Sequence, residues 1–150
     1  ATNDASHVTA PHPEAKGATR AMQLALADAG FGPSDVDYIN AHGTSTDMND
    51  RLETLAIRNV FQAKADRLVV NSTKSMIGHL LGAAGAVELA VTALSIQEGY
   101  VHPTINLNTQ DPDCDLDYVA NQGRALPIRA ALSNSLGFGG HNCTLALRRA

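Results

Sequence analysis

The sequence has no tryptophan and only two cysteines, Cys114 and Cys143, in 150 residues. Two thiols build neither a disulfide framework nor a metal cluster, so a reducing, cytoplasm-like setting is expected. Basic residues are outnumbered, 11 Lys and Arg against 15 Asp and Glu, for a net charge of −4. No run of Lys or Arg is present to neutralise phosphates, which argues against nucleic-acid binding. No apolar stretch reaches the ~20 residues that span a bilayer. The longest apolar-rich run, about Leu80 to Ile96, carries Glu88 in its middle, so no membrane insertion is expected. The first residues lack methionine, a basic opening and the apolar core of a signal peptide. Residues 4–13 are polar and irregular, like a mid-chain loop, and the chain is expected to be a piece of something longer.

What is present fits one domain, large enough to bury a core, with 44% hydrophobic residues. The spacing predicts a helix over about Glu14 to Asp28, stopped by Gly30, and a turn at Pro33-Ser34-Asp35. A strand over Val36 to Ala41 follows, then a second helix from Met48 or Asn49 through Phe61. Leu68 to Asn71 reads as a short buried strand. A third helix starts at Leu80 or Gly82 and ends near Gln97, before Gly99. Residues 103–107 read as extended and residues 115–119 as an edge strand. Two strands, Arg129 to Ser133 and Cys143 to Arg148, are joined by a glycine-rich turn at Gly137 to Gly140. This alternation predicts an α/β fold: a mixed, mostly parallel sheet with helices on both faces.

The chemistry gathers at strand ends, where open α/β sheets place their ligands. Asn40-Ala41-His42-Gly43-Thr44-Ser45-Thr46 follows one strand and Ser72-Thr73-Lys74-Ser75-Met76-Ile77-Gly78-His79 another. Asn134-Ser135-Leu136-Gly137-Phe138-Gly139-Gly140 follows a third. Gly43 permits a tight turn after His42, and the hydroxyls of Thr44 and Thr46 can fix the imidazole or bond the backbone. A histidine at a helix N-terminus, as expected of His79, favours its neutral form and can donate a hydrogen bond to a carbonyl. Three glycines near that helix start, at 78, 82 and 85, point to close approach of a backbone or ligand, or to tight helix–sheet packing. Glu88 needs a partner if buried, and Lys74 is the candidate; the alternative is a solvent stripe of Glu88, Thr92 and Ser95. Phe138, flanked by Gly137 and Gly139, offers a mobile ring and a backbone N–H for an oxyanion; the alternative is a hairpin with one buried ring. Neither cysteine has surroundings that favour a thiolate, and no nucleophile stands near the histidines.

Together these three ordered motifs resemble the β-ketoacyl-acyl carrier protein synthases, and the synthase II type of dissociated fatty acid synthesis in particular. The resemblance covers essentially the whole chain. It implies the C-terminal half of a thiolase-like fold over residues 1–150, with the nucleophilic cysteine in an N-terminal half that this chain lacks. By the same resemblance, His42 and His79 hold the thioester carbonyl of a malonyl group, and Lys74 organises the site with support from Glu88. Phe138 is the gate, with Gly137, Gly139, Thr44 and Thr46 around it. The implied reaction is a decarboxylative Claisen condensation on acyl carrier protein thioesters, without metal or cofactor, by a homodimer of the complete enzyme. Asp47-Met48 departs from the small residues expected after the first motif. A non-catalytic partner that sets chain length, or a polyketide ketosynthase, are alternatives. A thiolase fits poorly, because Phe138 stands on the turn where a second reactive cysteine belongs.

Overall fold

The computed structural model describes residues 1–150. A five-stranded sheet forms the centre, from β1 (Thr2–Asn3), β2 (Tyr38–Asn40), β3 (Val69–Asn71), β6 (Ala130–Gly137) and β7 (His141–Arg148), in the order β1-β7-β6-β2-β3. β2 runs parallel to β3 and β6, whereas β7 pairs antiparallel with β6 and with β1. The sheet is thus mixed, parallel around β2 and antiparallel beyond β6. Its helices are α1 (Lys16–Ala29), α2 (Asp47–Phe61), the short α3 (Lys74–Ile77) and α4 (Ala84–Glu98). β4 (Tyr100–Val101) and β5 (Arg124–Ala125) form a separate small ladder.

Two of the three long helices, α1 and α4, stop at glycines, Gly30 and Gly99, whereas α2 stops at Gln62. Gly30 takes φ +68° and donates its N–H to Ala27 O, while the Phe31 N–H reaches Leu26 O, a Schellman cap. Alternation along the strands then divides the core. Ile39, Val70 and Leu132 pack against Met22 and Leu26 of α1 and against Ile57, Val60 and Phe61 of α2. Tyr38, Val69 and Ala131 face the other way, toward Ile96, Val101, Val119 and Ile128.

Toward the carboxyl ends of the strands this second face turns polar. Asn40, Asn71 and Ser133 lie side by side in register, all buried. The helix above them, α4, presents Glu88, Thr92 and Ser95 inward, all buried, so the solvent-stripe alternative does not hold. Asn40 Nδ2 donates to Thr92 Oγ1 (3.2 Å) and to Glu88 O (3.3 Å). α4 is inverted relative to an ordinary surface helix: Ala86, Ala90, Ala93 and Leu94 face outward.

Several expected boundaries shift. The third helix begins at Ala84, after one turn of 3-10 helix at Leu81–Ala83, and α3 was not anticipated. The expected strand over residues 115–119 reduces to a bridge between Asp117 and Val69, and the segment 103–107 to one between Thr104 and Ala120. Both segments are tied by two backbone bonds each, too few to leave a repeating pattern in the sequence.

Candidate active site

β2, β3 and β6 are parallel neighbours, so the segments following them emerge on one edge of the sheet. His42 stands two residues beyond β2, Lys74 three beyond β3, and Phe138 directly after β6. The sheet thus brings together what the sequence predicted at separate strand ends.

The His42 turn is held from three sides. Gly43 adopts φ +45°, and a Cβ there would lie 2.5 Å from Ser72 Cβ, so glycine is required sterically as well as conformationally. The Ser72 hydroxyl donates to Gly43 O at 2.7 Å. Glu53, on the buried face of α2, accepts the N–H of His42 on one carboxylate oxygen and that of Gly43 on the other, both at 2.9 Å. Asn134 Nδ2 adds a third donor at 3.1 Å, itself oriented by the Thr144 hydroxyl. Burial raises the Glu53 pKa, and these three donors act against that rise. Glu53→Ala removes the acceptor and strands two backbone N–H groups; a stability loss of about 3 kcal/mol in chemical denaturation is expected. The sequence reading missed this residue. Its signal was the spacing of Asn49, Glu53, Ile57 and Val60 on one helical stripe.

The His42 ring is 7% exposed and meets His79 edge to face, with ring centroids 5.4 Å apart. Burial, then the charges of Lys74 and His79, push its pKa down to about 3, so the imidazole is neutral at pH 7. His79 is exposed in the loop after α3. Gly78 ends α3 with φ +75°, and His79 Nδ1 then accepts the Leu81 N–H at 3.1 Å. In the neutral ring this bond leaves Nδ1 bare and places the proton on Nε2, and His79 lies in the loop ahead of α4 rather than at its N-terminus as expected from sequence. The glycines around this loop also separate in role. A Cβ at Gly85 would lie 3.3 Å from Ser135 Oγ, whereas one at Gly82 would meet nothing within 4 Å.

Beneath the histidines, Lys74 Nζ and Glu88 Oε1 form an ion pair at 2.6 Å, with side chains only 5% and 3% exposed. Glu88 Oε2 has no partner within the chain, and neither does His42 Nδ1. Such orphans in a buried charged site mark places that water or another segment completes.

The Phe138 ring is 78% exposed, which removes the buried-hairpin alternative. Its turn is nonetheless fastened. Gly139 N–H donates to Val8 O (2.6 Å), Asn3 Nδ2 to Gly139 O (2.8 Å) and Asp4 N–H to Gly140 O (2.8 Å). Asn142 Nδ2 holds the Asp4 carboxylate at 2.9 Å. Gly137 stays extended, at the end of β6. The Thr44 and Thr46 hydroxyls bond each other at 3.0 Å rather than the imidazole. They line a polar cleft of about 460 Å³ with Ser72, Lys74 and Asp50. His42, His79 and Phe138 are not among its walls, so this cleft is not the chamber of the imidazoles. Cys114 is buried, and burial more than its aspartate neighbours raises its thiol pKa. Cys143 is exposed on β7, and no helix is long and apolar enough to cross a membrane.

Residues 1–108 match the family model described as the C-terminal domain of beta-ketoacyl synthase. The chain is 56% identical to "3-oxoacyl-[acyl-carrier-protein] synthase 2" of Synechocystis sp. and 55% identical to the Staphylococcus aureus (strain COL) protein of the same name. Each alignment covers 99% of this chain and 36% of the relative, so the chain spans about a third of their length. Among solved structures, it superposes with a TM-score of 0.96 and 46% identity on a chain of a type II PKS acyl-carrier protein complexed with its ketosynthase bound to the hexaketide. That match covers 99% of this chain and 36% of the other.

Proposed function

This chain belongs to the β-ketoacyl synthase family, and from that membership we propose that it supplies the decarboxylation half of a condensing site. In this reading residues 1–150 are the C-terminal half of the synthase. His42 and His79 take the thioester carbonyl of a malonyl group on acyl carrier protein. The malonyl carboxylate leaves as CO2, and the electron pair of the broken C–C bond enters the enolate. Its oxygen is met by hydrogen bonds from the two imidazoles, of which the buried His42 ring is neutral. The resulting carbanion attacks an acyl thioester on a cysteine of the N-terminal half, expelling the thiolate and extending the chain by two carbons. Lys74, paired with Glu88, fixes the field around the histidines, and Phe138 caps the entrance on its Gly137–Gly139 turn. Thr44 and Thr46, bonded to each other, support the turn that carries His42. The observation that carries the reading is the pair of imidazoles at 5.4 Å over a buried Lys74–Glu88 pair, on the carboxyl edge of parallel strands.

The carrier-protein partner is supported by the relative solved with its acyl carrier protein. The homodimeric state and a cytoplasmic location rest on the family resemblance alone. A polyketide substrate is a second reading, favoured by the same relative, whose bound molecule is a hexaketide.

The missing half is supported by the inverted helix. Leu94 of α4, Leu80 and Leu81 just ahead of it, and Met76 and Ile77 of α3 are all exposed, Leu81 to 76%. An apolar surface of this kind marks an interface. Expressed alone, the chain is expected to self-associate and to release no CO2 from malonyl-carrier protein. With the N-terminal half it should form a 1:1 complex that does both decarboxylation and condensation. Light scattering and radiolabelled CO2 release check this. A monodisperse monomer, or an assembled protein without CO2 release, overturns the assembly or the chemistry respectively.

A further inference from the structure

The segment 102–105 runs across the end of β3 and straps down the residues that lead into Lys74. Asn71 Nδ2 donates to His102 O at 2.6 Å, the Ser72 N–H to Thr104 Oγ1 at 3.3 Å, and the Ile105 N–H to Ser75 Oγ at 3.1 Å. The strap is itself anchored, since Thr104 N–H donates to Val119 O and its carbonyl accepts the Asn121 N–H. One strap side chain reaches the residue directly before Lys74. His102 Nε2 lies 3.1 Å from Thr73 Oγ1.

The direction of that bond follows from the other ring nitrogen. His102 Nδ1 lies 2.9 Å from Pro103 O, which can only accept, so Nδ1 carries the proton of the neutral ring. Nε2 is then an acceptor and the Thr73 hydroxyl donates to it. Thr73 sits at the N-cap of α3, yet its hydroxyl makes no capping bond. It is turned instead between His102 and Asn40, whose Nδ2 donates to it at 2.9 Å. Asn40 in turn holds Glu88 O and Thr92 Oγ1. A continuous polar chain therefore runs from the half-buried His102 through Thr73 and Asn40 to the backbone of the residue that pairs with Lys74.

From this geometry we infer that His102 is a positioning residue for Lys74, acting through Thr73 and resting on the functional reading above. It touches neither substrate nor reacting atoms. By fixing the Thr73 hydroxyl it sets where the first turn of α3 begins, and with it the line from Lys74 to Glu88. When the acceptor at 102 is lost, the Thr73 hydroxyl turns to Asn40 Oδ1, 3.2 Å away, and the strap is freed from the residue beside Lys74.

The test uses the complete synthase. His102→Phe keeps a ring and removes both nitrogens; His102→Gln returns an acceptor at the same number of bonds from Cβ as Nε2. Two readouts are followed: single-turnover CO2 release from malonyl-carrier protein, and the rate at which an amine-acylating reagent modifies Lys74, read by mass spectrometry. For His102→Phe the expectation is a kcat about fivefold lower with KM unchanged, and Lys74 modified several-fold faster. His102→Gln is expected within about twofold of the parent in both. Equal Lys74 labelling in all three proteins, or a glutamine variant no better than phenylalanine, overturns the inference. A parent protein without CO2 release overturns the functional reading, and Lys74 labelling then decides the positioning role by itself.

Discussion

Glu88→Ala lowers the stability of the assembled protein by about 3–5 kcal/mol, because it leaves Lys74 charged, buried and alone. The pair is 2.6 Å long and almost wholly withdrawn from solvent. Removing one partner forfeits the attraction but keeps the desolvation cost of the other. Replacing both by apolar residues of similar volume, Lys74→Met with Glu88→Leu, removes both charges together. That double variant is expected to recover most of the loss and can exceed the parent in stability. Urea denaturation of the two single variants and the double variant gives the coupling energy directly. A single-variant cost below about 1 kcal/mol would mean that the site admits water freely, as an exposed ion pair does. The double variant, however stable, is expected to lose CO2 release, which separates the pair's contribution to function from its contribution to the fold.

Substituting either histidine by alanine is expected to slow decarboxylation of malonyl-carrier protein by about 10²–10³-fold, the range for deleting one preorganised donor to a developing oxyanion. The two substitutions have different structural costs. His79 is exposed, and His79→Ala leaves the fold intact, losing the bond to the Leu81 N–H and the edge contact with the His42 ring. His42 is buried, so His42→Ala also opens a cavity beside the Glu53 anchor; His42→Gln keeps most of the volume. Single-turnover measurement of labelled CO2 reads the step itself. The double variant is expected to lose much less than the product of the two single losses, since in the proposed chemistry both rings serve one oxygen. Rates within about threefold of the parent for His79→Ala would remove the exposed ring from the proposed chemistry.

How legible the site was depended on how locally each part is determined. His42, Lys74 and Phe138 follow apolar runs, and His42, His79 and Phe138 lie beside glycines; strand-end placement can be read from that pattern alone. Pairing Lys74 with Glu88 was legible by elimination, because Glu88 is the only charge between Leu80 and Ile96. The supports were not. Glu53 works by accepting N–H groups 11 and 10 residues away, and Asn134 reaches it across 81 residues. The stripe of Asn49, Glu53, Ile57 and Val60 announces that Glu53 is buried but not which groups it accepts from. α4 misled for a different reason. A helix apolar nearly all round does not say which face turns inward, and the answer lay in Asn40, Asn71 and Ser133, contributed by three strands. The short ladders at Thr2–Asn3 and Tyr100–Val101 are two residues each, too brief for alternation to register.

The fastening of the Phe138 turn has a kinetic side. Asn3 reaches Gly139 across 136 residues, and Asn142 reaches Asp4 across 138. Closing loops of that length costs more chain entropy than any helix or hairpin of the fold, so these contacts form after the sheet has given them a frame. The Phe138 turn is therefore expected to be among the last parts of the fold to form and among the first to open on unfolding. In hydrogen exchange, Gly139 and Asp4 would open together as one cooperative unit, ahead of the β6–β7 ladder on which they rest.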